Sequence, residues 1–134
     1  LDPGYRRLFV DYLRDYARSE NKTVFLTSHI IQDMERLIDD CIIMDYGSIL
    51  IQQPIETLMK GLRKYTCTVP EGYQPQLPVT CYHPAVIRQT LETYSFLPPS
   101  DVEGLLKENQ VPFTGLQHEN VGLEDAFIGL TGKY

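Results

Sequence analysis

An α/β fold for residues 1–63, followed by a small α+β module over 64–134, is what this sequence predicts, on three observations. The run Thr23-Val24-Phe25-Leu26-Thr27-Ser28-His29 is apolar and β-branched and lies between two segments of helical periodicity. A run of this kind suits a strand buried on both faces of a parallel sheet. A second apolar run, Ile42-Ile43-Met44, leads into Asp45-Tyr46-Gly47 and a returning segment, the pattern of a hairpin. From Lys64 onward the composition changes: prolines stand at 70, 75, 78, 84, 98, 99 and 112, and the segments shorten. That change draws a domain boundary near residue 63.

Taken in order, the elements follow from local chemistry. Asp2-Pro3 starts a helix, with Asp able to cap it and Pro preorganised for the first helical position. Tyr5, Leu8, Phe9, Tyr12, Leu13, Tyr16 and Ala17 then recur at helical spacing as one apolar stripe. On the wet face, Arg7 pairs with Asp11 and Asp11 with Arg14, each worth about 0.2–0.5 kcal/mol. Ser19 to Lys22 turns the chain into the Thr23–His29 strand. Ligands of open α/β sheets sit beyond the carboxyl ends of strands, so His29 is placed by topology for chemistry. Ile30, Met34, Leu37, Ile38 and Cys41 continue a second stripe, giving a helix to about Asp39. Ile42–Met44 and Ser48–Gln52 pair as the hairpin. Pro54 opens a third helix with Ile55, Leu58, Met59 and Leu62 on one face, and Gly61 marks its end.

In the second part, Tyr65–Val69 and Val79–Tyr82 read as strands on either side of a Pro/Gly/Gln loop. Val86–Phe96 alternates as a strand does, with a helix as the alternative. Ser100 is expected to cap a helix carrying Val102, Leu105 and Leu106. Phe113–His118 reads as a strand. Leu123, Ala126, Phe127 and Leu130 form a closing helix, with Glu124 and Asp125 favourably placed in its first turn.

Composition narrows the function. Hydrophobic residues make up 43% and charged residues 22%, as in globular domains. No apolar run approaches the ~20 residues that span a bilayer. The opening Leu1-Asp2-Pro3 and amphipathic helix do not resemble a signal peptide. The chain has no initiator methionine and is expected to be a piece of a longer polypeptide. The net charge is −6 and the basic clusters are no larger than Arg6-Arg7 and Arg63-Lys64, so binding nucleic acid by neutralising phosphates is disfavoured. Cys41, Cys67 and Cys81 lack metal-site spacing and read as free thiols of a reducing cytoplasm. His29, His83 and His118 stand too far apart for a zinc pattern, so no metal site is expected.

Three segments, in order and spacing, resemble the end of the ATPase subunit of ABC transporters. Leu1-Asp2-Pro3 is similar to the D-loop, Thr23–His29 to the strand ending in the switch histidine, and Asp39-Asp40-Cys41-Ile42-Ile43-Met44-Asp45-Tyr46-Gly47 to the hairpin that follows it. Gly122-Leu123-Glu124-Asp125-Ala126-Phe127-Ile128-Gly129-Leu130-Thr131-Gly132 resembles the ending of bacterial subunits that carry an extra C-terminal domain. The resemblance implies that residues 1–63 are the end of a P-loop NTPase nucleotide-binding domain with an ABC-type sheet, and 64–134 an accessory α+β domain. The family's phosphate-binding loop, signature loop and Walker B carboxylates precede an LDP element and are not in this sequence. Gly129-Leu130-Thr131-Gly132-Lys133-Tyr134 is the one lookalike of a phosphate loop. It is too short between glycines, lacks the hydroxyl residue, and reads as a helix cap and tail.

By the same resemblance, His29 is catalytic and nucleotide-contacting: it meets the γ-phosphate and orients the attacking water, for which an imidazole donor near neutral pH is suited. Asp2 resembles the D-loop aspartate that faces the other subunit's nucleotide, and it is expected also to cap its helix. Asp33, one turn after His29, reads as a solvated first-turn acid, with orientation of the imidazole as the alternative. Ser28-His29 is no nucleophile–base pair, because neighbours along a strand point to opposite faces. The parent is implied to hydrolyse ATP with magnesium, to pair with a second ATPase subunit, and to dock on membrane-spanning subunits at the cytoplasmic face of the membrane. This chain alone is expected to be inactive and to bind no cofactor. A non-catalytic interaction or regulatory module with ATPase-like sequence is the alternative of a different class.

Overall fold

The structure is a computed structural model, and it describes residues 2–27 and 34–132. Helix α1 spans Pro3–Ser19. A single 3-10 turn, Met34–Arg36, precedes strands β1 (Asp40–Asp45) and β2 (Ser48–Pro54). Helix α2 (Ile55–Gly61) runs into β3 (Arg63–Thr68). Then come β4 (Tyr82–Ile87), β5 (Thr90–Ser95), α3 (Pro99–Glu108), β6 (Thr114–Asn120) and α4 (Leu123–Thr131). The mixture of helices with antiparallel sheets agrees with the α/β class expected of the end of an ABC ATPase.

β1 and β2 form a hairpin of their own, with Asp45 opposite Ser48. Its two loop residues, Tyr46 (φ 48°) and Gly47 (φ 77°), both sit in the left-handed region. That pair is the type I′ turn, whose twist matches the strands it joins. A bulge between Ile43 and Met44 shifts the register beyond it. The other sheet is four-stranded and antiparallel in the order β4-β5-β3-β6.

Several elements depart from the sequence reading, each for a local reason. Residues 23–27 form no strand, and Phe25 is 83% exposed. A strand needs neighbours for its N–H and C=O groups, and none of the described strands pairs with this run. Ser28, His29 and the beginning of the helix expected after them lie outside the described residues. What is described of that helix is the 3-10 turn alone; Ile38 follows it in irregular backbone. The strand expected at Val79–Tyr82 starts later, as β4, an edge strand where Pro84 costs no internal ladder bond. Val86–Phe96 is split by a turn at Arg88 (φ 57°) between β4 and β5. Ser100 does not cap α3. Pro99 takes the first helical position, so Pro98 occupies the cap without a side-chain bond and Ser100 falls inside the first turn.

Two apolar clusters hold the fold. Tyr65, Cys67, Val69, Leu91, Val102, Leu106 and Val111 pack α3 against the larger sheet. Tyr65 is anchored there because its hydroxyl donates to the Leu97 carbonyl at 2.5 Å. The second cluster joins Cys41, Ile43 and Ile51 of the hairpin to Leu58 and Leu62, to Tyr94 of β5, and to Leu123, Ala126 and Leu130 of α4. It therefore draws on both sides of residue 63. The last helix ends as expected, with Gly132 in the left-handed conformation (φ 72°) and its N–H bonded to the Ile128 carbonyl at 2.7 Å.

All three cysteines are free and buried, and burial raises each thiol above its ordinary value of 9.0. The thiolate is the reactive form. The folded protein is expected to leave Cys41, Cys67 and Cys81 unmodified by iodoacetamide at pH 7.5, and to release all three in denaturant. Rapid labelling of any one in the folded state would contradict this packing. The sign for stability follows: the unfolded chain loses these protons first, so stability falls as pH rises above about 9.

Candidate functional site

Asp2 and His29 are the residues on which the sequence places chemistry. Asp2 sits in front of α1, and its Oδ1 accepts from the Gly4 N–H at 3.2 Å. The Arg6 N–H bonds the Asp2 carbonyl at 3.0 Å. Pro3 takes the first helical position, where its missing N–H is no loss. The expected cap is thus present, and Asp2 is exposed with one carboxylate oxygen engaged by its own helix. His29 and Asp33 lie outside the described residues, as does Ser28, so the structure does not bring His29 to Asp2.

The surroundings of Asp2 are unlike those expected of a helix packed along its apolar stripe. Tyr5, Leu8, Phe9, Tyr12 and Tyr16 are all exposed, while Val10, on the other side, is the buried residue of α1. Tyr12 and Tyr16 stack on each other, with centroids 6.4 Å apart and planes 14° from parallel. Polar contacts hold the far side of the helix. Asp11 Oδ1 receives Arg36 Nη2 at 2.8 Å and Arg14 Nη2 at 3.4 Å. These pairs are partly exposed and contribute about 0–1 kcal/mol each.

Next to Arg36, Glu35 Oε1 accepts from the Leu123 N–H at the start of α4. Sequence reasoning missed this contact because no local signal marks a cap supplied from 88 positions away. A weak cue existed in Gly122, a cap-position residue with no side chain of its own to bond the helix.

The described residues do not fit a phosphate cradle. The N-terminus of α1 already carries a carboxylate. The Gly129–Gly132 stretch lies at the carbonyl end of α4, which repels anions. Among the described residues no group of three His, Cys, Asp or Glu side chains could hold a metal ion.

Over 144 aligned residues, covering 99% of the chain, the sequence is 32% identical to the Nod factor export ATP-binding protein I of Ralstonia nicotianae. Its relatives are ATP-binding subunits of ABC transporters. A second ABC relative, the Nod factor export ATP-binding protein I of Burkholderia orbicola, is 28% identical over 140 residues, again 99% of the chain. The bacitracin transport ATP-binding protein BcrA of Bacillus licheniformis is 36% identical over a shorter stretch of 65 residues, 48% of the chain and 21% of that protein. The chain spans 44% of the length of each of the two Nod factor export proteins. No protein-family model matches it.

Proposed function

We propose that this chain supplies the end of the nucleotide-binding domain, residues 1–63, and an accessory α+β domain, residues 64–134, of an ATPase subunit that energises an ABC transporter. The observation that carries this is the alignment over 99% of the chain with full-length ATP-binding subunits. The D-loop, switch-histidine and hairpin segments stand in their family order within it. The shorter match, 65 residues, has about the length assigned to the first part. In the longer protein, His29 contacts the γ-phosphate of magnesium-bound ATP, and Asp2 faces the nucleotide of a second ATPase subunit. The exposed α1 stripe and the exposed Ile42, Met44 and Ile49 of the hairpin are surface that the rest of the nucleotide-binding domain covers. The subunit works at the cytoplasmic face of the membrane, docked on membrane-spanning subunits. None of this chain's described helices is long and apolar enough to cross a membrane.

The 134-residue chain itself lacks what holds the phosphates: a glycine-rich loop with converging N–H groups, its lysine, and a hydroxyl for magnesium. One histidine and one aspartate offer about 1.5–3 kcal/mol each through charged hydrogen bonds. Association alone costs about 4–15 kcal/mol of lost freedom. Titration calorimetry with Mg-ATP should therefore show no saturable binding below about 1 mM. A micromolar isotherm would overturn this division of labour between the chain and the remainder of the subunit.

A further inference from the structure

Glu35 and Arg36 are neighbours on one short turn and reach in different directions. Arg36 Nη2 meets Asp11 of α1 at 2.8 Å. Glu35 Oε1 takes the N–H of Leu123, the first residue of α4, in a part-buried hydrogen bond. The opening N–H groups of a helix have no partner within it, and α4 has no side-chain cap of its own, since Gly122 stands at the cap position. A carboxylate there satisfies a donor and meets the positive end of the helix dipole. Gly122 also makes room for it, because a Cβ at that position would lie 3.2 Å from Glu35 Oε1.

We propose that the Met34–Arg36 turn is a joint through which α1 and α4 hold each other in place, with Glu35 as the borrowed cap of α4 and Arg36 as its tie to α1. The two arms differ in kind. The Asp11–Arg36 pair is exposed, with side-chain accessibilities of 32% and 43%, so salt screens it. The Glu35 arm is partly shielded and resists salt. The joint therefore loosens from the α1 side first. It concerns the chain's own packing and stands apart from ATP chemistry.

Amide hydrogen exchange of the full 134-residue chain, followed by NMR, tests this. Glu35→Ala should speed exchange at Leu123 and Ala126 by about fivefold or more, the factor that corresponds to losing one helix cap. Glu35→Gln, which keeps an acceptor, should recover part of the protection. Arg36→Ala should speed the same amides by about twofold at low salt, and this effect should vanish in ~1 M salt, where the screening length is about 3 Å. Placed on top of Glu35→Ala, Arg36→Ala should add nothing, the mark of two residues acting through one path. Unchanged exchange at Val102 and Leu106 in α3 reports that the fold is intact. Two outcomes overturn the joint: Leu123 and Ala126 indifferent to Arg36→Ala at low salt, or indifferent to Glu35→Ala.

Discussion

In the longer ATPase subunit proposed above, His29→Ala is expected to lower ATP turnover on the order of 10²- to 10⁴-fold, the range set by loss of one positioned proton-handling group. Affinity for ATP should change little. The contact proposed for His29 is to the transferred phosphoryl group and the attacking water, so it strengthens as charge moves in the transition state and adds little to ground-state binding. The expected signature is a collapse of kcat with KM nearly constant. Asp2→Ala in the same protein has a second, structural effect. It removes the cap from α1, worth about 1 kcal/mol, so its turnover loss should come with a measurable fall in stability, which His29→Ala should lack. Steady-state kinetics alongside thermal melts separates the two. Normal turnover by the His29→Ala subunit would refute the assignment.

Gly129→Ala is expected to destabilise the chain by about 1–3 kcal/mol or more, although alanine is the better helix former by about 1 kcal/mol. A Cβ at Gly129 would stand 2.5 Å from Cγ and Cδ2 of the Tyr94 ring and 2.7 Å from its Cδ1. Tyr94 is 7% exposed and belongs to the cluster that joins β5, the hairpin and α4, so the ring has little room to retreat. Gly104→Ala in α3 is the matched control. Nothing lies within 4 Å of its Cβ position, and the helix preference should then raise stability by up to about 1 kcal/mol. Denaturant melts should move the two midpoints in opposite directions. A stabilised Gly129→Ala protein would mean that α4 does not lie flat on Tyr94. Combining Gly129→Ala with Tyr94→Leu should cost less than the sum of the single changes, because the two residues contend for one space.

What could be read in advance depended on how local the cause was. The hairpin was legible because Asp45-Tyr46-Gly47 marks a turn between two apolar runs, and α1 because Asp2-Pro3 carries both cap and first-turn signals. The closing helix was legible down to its Gly132 end. The described part, 23–27, of the expected Thr23–His29 strand misled because composition marks a preference for extended backbone without supplying the neighbouring strand that makes it a strand. The α1 stripe has the helical spacing read from the sequence, but Tyr5, Leu8, Phe9, Tyr12 and Tyr16 on it are exposed, and periodicity could not say that Val10, outside it, would be the buried residue. The place of β3 between β5 and β6 depends on pairings far apart in sequence, for which no short pattern exists. Of the candidate site, Asp2 took up the predicted cap, while His29 falls outside the described residues. The Glu35 contact to α4 joins positions too distant for any window of sequence to connect.

The cluster shared by the hairpin and α4 has a temporal side. Ribosomes deliver β1 and β2 first, and roughly 70 residues must follow Pro54 before Leu123 is made. At synthesis rates of about 5–20 residues per second, that is a wait on the order of 3–14 s. Throughout it, Cys41, Ile43 and Ile51 lack the cover that Leu123, Ala126 and Leu130 later provide. The apolar face of the nascent hairpin thus waits for a helix made roughly 70 residues later, and only the arrival of α4 completes its cover.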